Sequence, residues 1–137
     1  MKKIFTSGLL AGVSIFVVGI VLTPLLNLIF PSLSGEYANI GLFRPWDDPV
    51  MSLYYLYPFI LGVVLAWAWD RTRKLLTGTN VEKIKKFALG YWFVAGFPGM
   101  FITYASFQVS FSMVLAWSIS GLVDAFVAAW VFSKRDK

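Results

Sequence analysis

The chain contains no cysteine and no histidine in 137 residues. Without cysteine there is no disulfide, no thiol redox couple and no thiolate metal site. Without histidine, bis-histidine haem ligation, most transition-metal sites and any serine–histidine relay are excluded. Acids are few as well, seven Asp and Glu against twelve Lys and Arg. Aspartyl chemistry inside a membrane needs two carboxylates in close contact, and Asp70 and Asp124 are expected to differ in depth by most of a leaflet. No lysine interrupts the long apolar runs, so serine–lysine catalysis lacks its base. The "GFPG" stretch, residues 96–99, has neither the glycine spacing of a dinucleotide fingerprint nor the lysine of a phosphate loop. The expectation is a protein that is not an enzyme, with no cofactor and no metal.

Long stretches also lack charge altogether. There is none between Lys3 and Glu36, none between Asp48 and Asp70, and from Phe87 to Ser133 only Asp124. With 58% hydrophobic residues and 14% charged and a mean hydropathy of +0.73, the composition departs from that of soluble domains. About 20 apolar residues span a hydrocarbon core as a helix, so the first two runs supply one span each and the third supplies two. The expected fold is an all-α integral membrane protein, one domain over 1–137. Four transmembrane helices in two antiparallel hairpins are placed at about 4–30, 49–76, 80–104 and 109–132, with an outer loop at 31–48.

The positive charges sit where this threading predicts. Of the twelve Lys and Arg, all but Arg44 lie at the N-terminus, between the second and third spans, or at the C-terminus. That bias places both termini in the cytoplasm and the chain in the cytoplasmic membrane. It reads as a topology signal with some affinity for anionic lipid, not as a nucleic-acid surface. The apolar stretch after "MKK" runs to Phe30 with no small-residue cleavage site, so it is read as a retained first helix rather than a signal peptide.

Local signals refine the spans. Gly8 and Gly12 have the spacing that lets helices approach closely in a membrane, and Pro24 predicts a kink. In "FRPWDDP", Asp48 before Pro49 reads as an N-cap with proline in the first turn. Arg44 and Asp47 are expected to pair, and Arg44, Trp46 and Asp47 form a candidate outer-loop site. Trp67 and Trp69 are expected at the inner interface, Tyr54, Tyr55 and Tyr57 at the outer one. Gly78 is expected to end the second span, and "TNVE", Thr79–Glu82, reads as a capping box. Pro98 and Gly99 are expected to break the third span.

The one charged residue in the fourth span carries the functional question. A helical wheel puts Trp117, Ser120, Gly121, Asp124 and Ala128 on one small, polar face, with Leu122, Phe126 and Trp130 on the other. Asp124 lies roughly 10 residues, on the order of 15 Å, from Lys134, near the midplane. The same count reaches Ser14, Gly62 and Gly96 on the other helices, and no cation. An intramembrane aspartate costs about 2.5 to 3.5 kcal/mol at a helix centre. It is read either as a hydrogen-bonded link between helices or as a group that binds a proton, cation or ligand. The candidate intramembrane site is Asp124, Ser120, Gly121, Ser14, Gly96 and Pro98.

Two functions are expected from these features. The first is a small polytopic protein acting by helix–helix, lipid or partner contact, as an accessory or binding subunit. The alternative is a small oligomeric transporter or channel for protons, cations or a small solute, using Asp124. The expected partners are the lipid bilayer and a second copy or larger membrane protein, with no nucleic acid.

Overall fold

The computed structural model describes residues 2–136. It is all-helical, with no strand among the described residues, and four of its helical stretches are long and apolar enough to cross a membrane. The first is α1, Lys2–Ile29, which runs unbroken through Pro24. A short α2, Ser32–Tyr37, follows within the segment read as a loop. Its Leu33, 2% exposed, is packed with Leu26, Met113 and Ala116 and closes one end of the bundle.

The second span is two helices rather than one. Pro49–Leu56 is a 3₁₀-helix, and α3, Tyr57–Thr72, is α-helical. Pro58 explains the change, since its ring meets the carbonyl of the residue four before it and it has no N–H to bond there. The chain tightens to i→i+3 bonding instead, with the Tyr57 N–H on the Tyr54 carbonyl. Asp48 is the N-cap, accepting the Val50 N–H at 2.8 Å. The α-helix stops well before Gly78. That glycine has φ of 110° and sits immediately before the Thr79 cap, where a Cβ would run into the Glu82 carboxylate. It turns the chain into the next helix and does not end α3.

The capping box is present at the start of α4, Asn80–Tyr91, where Thr79 N–H donates to Glu82 Oε2 at 2.7 Å and Glu82 N–H to Thr79 Oγ1 at 3.3 Å. The expected break at Pro98 takes another form. Trp92–Gly96 is a π-turn, with the Phe97 N–H on the Trp92 carbonyl, and α5, Phe97–Ser106, continues from it with Pro98 in its first turn. One wide turn thus places the proline where no N–H is needed, and the helix is widened instead of broken.

The last helix, α6, Phe111–Arg135, is the hub, packing on α1, on α3 and on the α4–α5 span. Its start is capped twice. Ser110 Oγ accepts the Met113 N–H at 3.1 Å, while Glu36 from α2 accepts Ser110 N–H at 3.1 Å and Ser110 Oγ–H at 2.6 Å. A half-buried carboxylate on a helix N-terminus gains from both the free N–H groups and the dipole. Glu36→Ala is expected to cost about 1 to 2 kcal/mol, the range of a lost cap or charged hydrogen bond. A thermal-melt cycle with Ser110→Ala checks it: the double variant should lose much less than the sum of the singles, and strict additivity would show that the two side chains do not act together.

The α1–α3 contact is a backbone contact. A Cβ on Gly8 would stand 2.5 Å from Val63 Cα and one on Gly12 2.7 Å from Phe59 Cα, while one on Gly62 would strike the Gly8 carbonyl oxygen. Three glycines therefore let the two helices touch along their main chains. At the end that carries the chain termini, Trp69, Phe87 and Phe132 stack, Trp69 lying 5.1 Å from Phe87 and 6.0 Å from Phe132 between ring centres. This stack joins α3, α4 and α6.

Candidate functional site

Asp124 is 8% exposed, on the face of α6 that also buries Ala125, Ala128 and Ala129. Among the described residues its carboxylate makes no hydrogen bond and no ion pair. The two hydroxyls expected to reach it are used locally. Ser14 Oγ–H donates to the Leu10 carbonyl at 3.0 Å and Ser120 Oγ–H to the Ala116 carbonyl at 3.0 Å. Such back-bonding satisfies a hydroxyl in an apolar helix without any partner helix.

The groups that do lie within electrostatic reach of Asp124 are the phenols of Tyr57 on α3 and Tyr91 on α4. Asp124 lies on the buried face of α6, the helix that packs on both α3 and α4. The Trp69–Phe87–Phe132 stack closes that packing at the termini end. One turn from Asp124 toward the other end, the Cβ position of Gly121 meets nothing within 4 Å. The open space over Gly121 and the Asp124 carboxylate one turn along α6 together make a candidate furrow, with the Tyr57 and Tyr91 phenols within electrostatic reach.

Of the other candidate residues, Gly96 is covered by its own π-turn, with Trp92 Cδ1 2.9 Å from where its Cβ would be. Trp92 in turn donates from Nε1 to Ser118 Oγ at 2.9 Å and ties the π-turn to α6. Pro98 is exposed. Gly62 faces α1, as described above. Depth counting reached Gly96 because ten residues were stepped inward from Lys86, the last basic residue before the third apolar run. In the structure Asn80 and Lys83 line one cleft with Ser133 and Asp136, and stepping from Lys83 by the distance that separates Ser133 from Asp124 reaches Trp92, next to Tyr91.

The outer-loop trio is not assembled into a site. Arg44 Nη1 binds Asp48 Oδ2 at 2.9 Å, not Asp47, so Asp48 both caps the 3₁₀-helix and holds the arginine. The Val50 N–H and Arg44 together hold the Asp48 carboxyl below the usual carboxylate range. Asp47 is exposed, and Trp46, 67% exposed, packs edge-on against Tyr54 at 5.8 Å. The aromatic that is well placed there is Trp117, whose Nε1 donates to Tyr37 Oη at 2.7 Å beside Phe43.

A second polar centre escaped the sequence reading. Trp69, expected at the interface, is 5% exposed and donates from Nε1 to Asp136 Oδ2 at 2.6 Å. Arg73 Nη1 donates to Asp136 Oδ1 at 2.6 Å, and Lys3 Nζ lies 3.7 Å from the same oxygen. Burial alone raises the Asp136 carboxyl, but the hydrogen bonds from Trp69 and Arg73 and the charges of Arg73 and Lys3 outweigh it and leave it below the usual carboxylate range. One carboxylate thereby fastens α1, α3 and the end of α6. Trp69 offered no signal beyond its indole N–H, and nothing in the sequence singles out Asp136 in its charged tail.

Among the described residues no three acids gather into a metal-ligating group. The furrow offers a recessed hydrogen-bond acceptor with two phenols within electrostatic reach. In comparisons with known proteins, no family model, no curated protein and no solved structure matches the chain.

Proposed function

We propose that the chain is a four-span protein of the cytoplasmic membrane, with both termini in the cytoplasm, that works without catalysis by binding a partner within the bilayer. Its partner is a second copy, a larger membrane protein or a lipid that presents a hydrogen-bond donor to the furrow. The observation that carries this reading is the Asp124 carboxylate, recessed on the packed face of α6 and bonded to nothing among the described residues. An acceptor without a donor is costly in hydrocarbon. A donor supplied from outside removes that cost, which is a reason for binding there. The one-sided distribution of Lys and Arg supports the orientation.

A photo-crosslinking side chain at Gly121, where there is open space, tests the proposal in native membranes. A product specific to that position is expected, lost on Asp124→Leu. Crosslinking no stronger than from Leu28, which is 77% exposed on α1, would sink it. The chemical nature of the product separates lipid from protein partners. The π-turn that follows Tyr91 favours one other reading, since irregular backbone next to an intramembrane acid is a transporter device. Proton or cation flux in proteoliposomes that Asp124→Asn abolishes would put transport in place of contact.

A further inference from the structure

The cleft at the termini end is distinct from the furrow and carries its own chemistry. It measures about 420 Å³ and lies between the ends of α3 and α6 and the start of α4. Arg73, Lys74 and Lys83 line it together with Asn80, Ser133 and Asp136. The one acid is already engaged, its two oxygens taken up by Trp69, Arg73 and Lys3. Lys74 and Lys83 have no acidic partner within ion-pair distance among the described residues. Arg73 turns its Nη atoms to Asp136 and Asp70, while its Nε is buried with no acceptor. The cleft thus holds three cations around one neutralised carboxylate, with Asn80 beside them.

Its depth says where an acceptor would come from. Trp67 and Trp130, 55% and 54% exposed, mark the interfacial belt at this end. Arg71 and Lys134 lie over their rings at 5.7 and 5.9 Å. Arg73 and Lys74 follow Trp67 by nearly two turns, on the order of 10 Å, at the level of lipid headgroups. On the bilayer placement proposed above, we propose that this cleft seats the phosphate of an anionic phospholipid headgroup, held by Lys74 and Lys83 with Arg73 adding its charge. Phosphate is the matching chemistry because its oxygens accept from both ammonium and guanidinium donors. A zwitterionic headgroup brings the same phosphate with a cation attached, which the net positive cleft disfavours.

Native mass spectrometry of the full chain, released from micelles containing equal phosphatidylglycerol and phosphatidylcholine, tests this. Wild type is expected to retain phosphatidylglycerol preferentially. Lys74→Gln with Lys83→Gln should weaken retention by about five-fold per lysine, as expected for a cation near a charged lipid surface. Because neither lysine is paired, the thermal melt of this variant should stay unchanged, which separates loss of the site from loss of the fold. Lys85→Gln with Lys134→Gln removes the same charge outside the cleft and should leave the preference intact, as should Asp124→Leu. Equal retention of both lipids by wild type, or equal loss in both lysine pairs, would overturn the proposal. So would inorganic phosphate, added without phospholipid, protecting the fold as well as phosphatidylglycerol does. That result would assign the cleft to a soluble anion.

Discussion

Gly62→Val is expected to prise α1 from α3 and to lower the thermal midpoint of the detergent-solubilised protein more than any other single small-residue change. Helix propensity pulls the other way, because a glycine in a helix interior is roughly 1 kcal/mol worse than alanine in a soluble host. Sterics decide. The added Cβ would run into the Gly8 carbonyl oxygen and stand 2.7 Å from the Gly12 nitrogen, all main-chain atoms that no rotamer change moves aside. Overpacking of side chains costs typically about 1 to 3 kcal/mol. A collision with backbone falls at or above the top of that range, and valine adds two methyl groups to it. Gly19→Val on α1 is the internal control, since nothing lies within 4 Å of its Cβ position. If the two variants melt alike, the close approach of α1 and α3 is not what holds this half of the bundle.

That contact was partly legible in the sequence, and the reason marks the boundary of such reading. Gly8 and Gly12 are four residues apart, so their shared face follows from helix geometry alone. Their partner, Gly62, was placed by depth beside Asp124, because depth says nothing about which way a residue points around its helix. The same division runs through the chain. The gaps between charges gave four apolar helices, and the caps at Asp48 and Thr79 were readable because each closes within three residues. The π-turn was half-visible: Pro98 required an irregularity, but whether the helix would break or widen depends on whether Trp92 can reach Ser118.

The polar contacts that organise the ends were invisible for a different reason. Glu36 with Ser110 and Trp69 with Asp136 join residues 74 and 67 positions apart. Nothing in the sequence singles out either acid from an ordinary charge at a loop or terminus. Composition cannot tell a carboxylate in water from one that fastens two helices, and only proximity in the fold separates them. At the candidate site the reverse held. Asp124 stood out at once as the lone charge in its run, yet of the companions chosen for it by small size and depth only Gly121 is beside it, while Ser14 and Ser120 bond to their own helices and Gly96 is covered by Trp92. Of the two tyrosines within electrostatic reach of it, Tyr57 reads as an outer-belt aromatic and nothing in the sequence marks Tyr91. An amphipathic side chain such as tyrosine fits a belt or a polar site, since its ring suits hydrocarbon and its hydroxyl reaches a polar neighbour.

Asp124→Leu separates the two meanings of the carboxylate by the sign of its effect. Were Asp124 a hydrogen-bonded link between helices, removing it would cost stability, since breaking a buried hydrogen bond leaves its partner unsatisfied at about 1 to 3 kcal/mol. Among the described residues no partner exists to be orphaned. Ser14 and Ser120 keep their bonds to Leu10 and Ala116, and Asp124 is 8% exposed. The desolvation of the carboxyl is then a cost with no return in the isolated chain. On insertion scales aspartate at a helix centre costs about 2.5 to 3.5 kcal/mol and leucine gains about 0.3 to 0.6 kcal/mol. The variant is therefore expected to unfold at a higher temperature, with a gain of up to about 3 kcal/mol less whatever strain the larger side chain meets at that position. Asp124→Asn controls for that strain, because it keeps the shape while removing the charge, and should also stabilise, by less. Both variants should at the same time lose the Gly121 crosslink. Stabilisation together with loss of contact is the signature of a group kept for binding at the expense of the fold, whereas a fall in the melting temperature of both variants would assign Asp124 to holding the helices together.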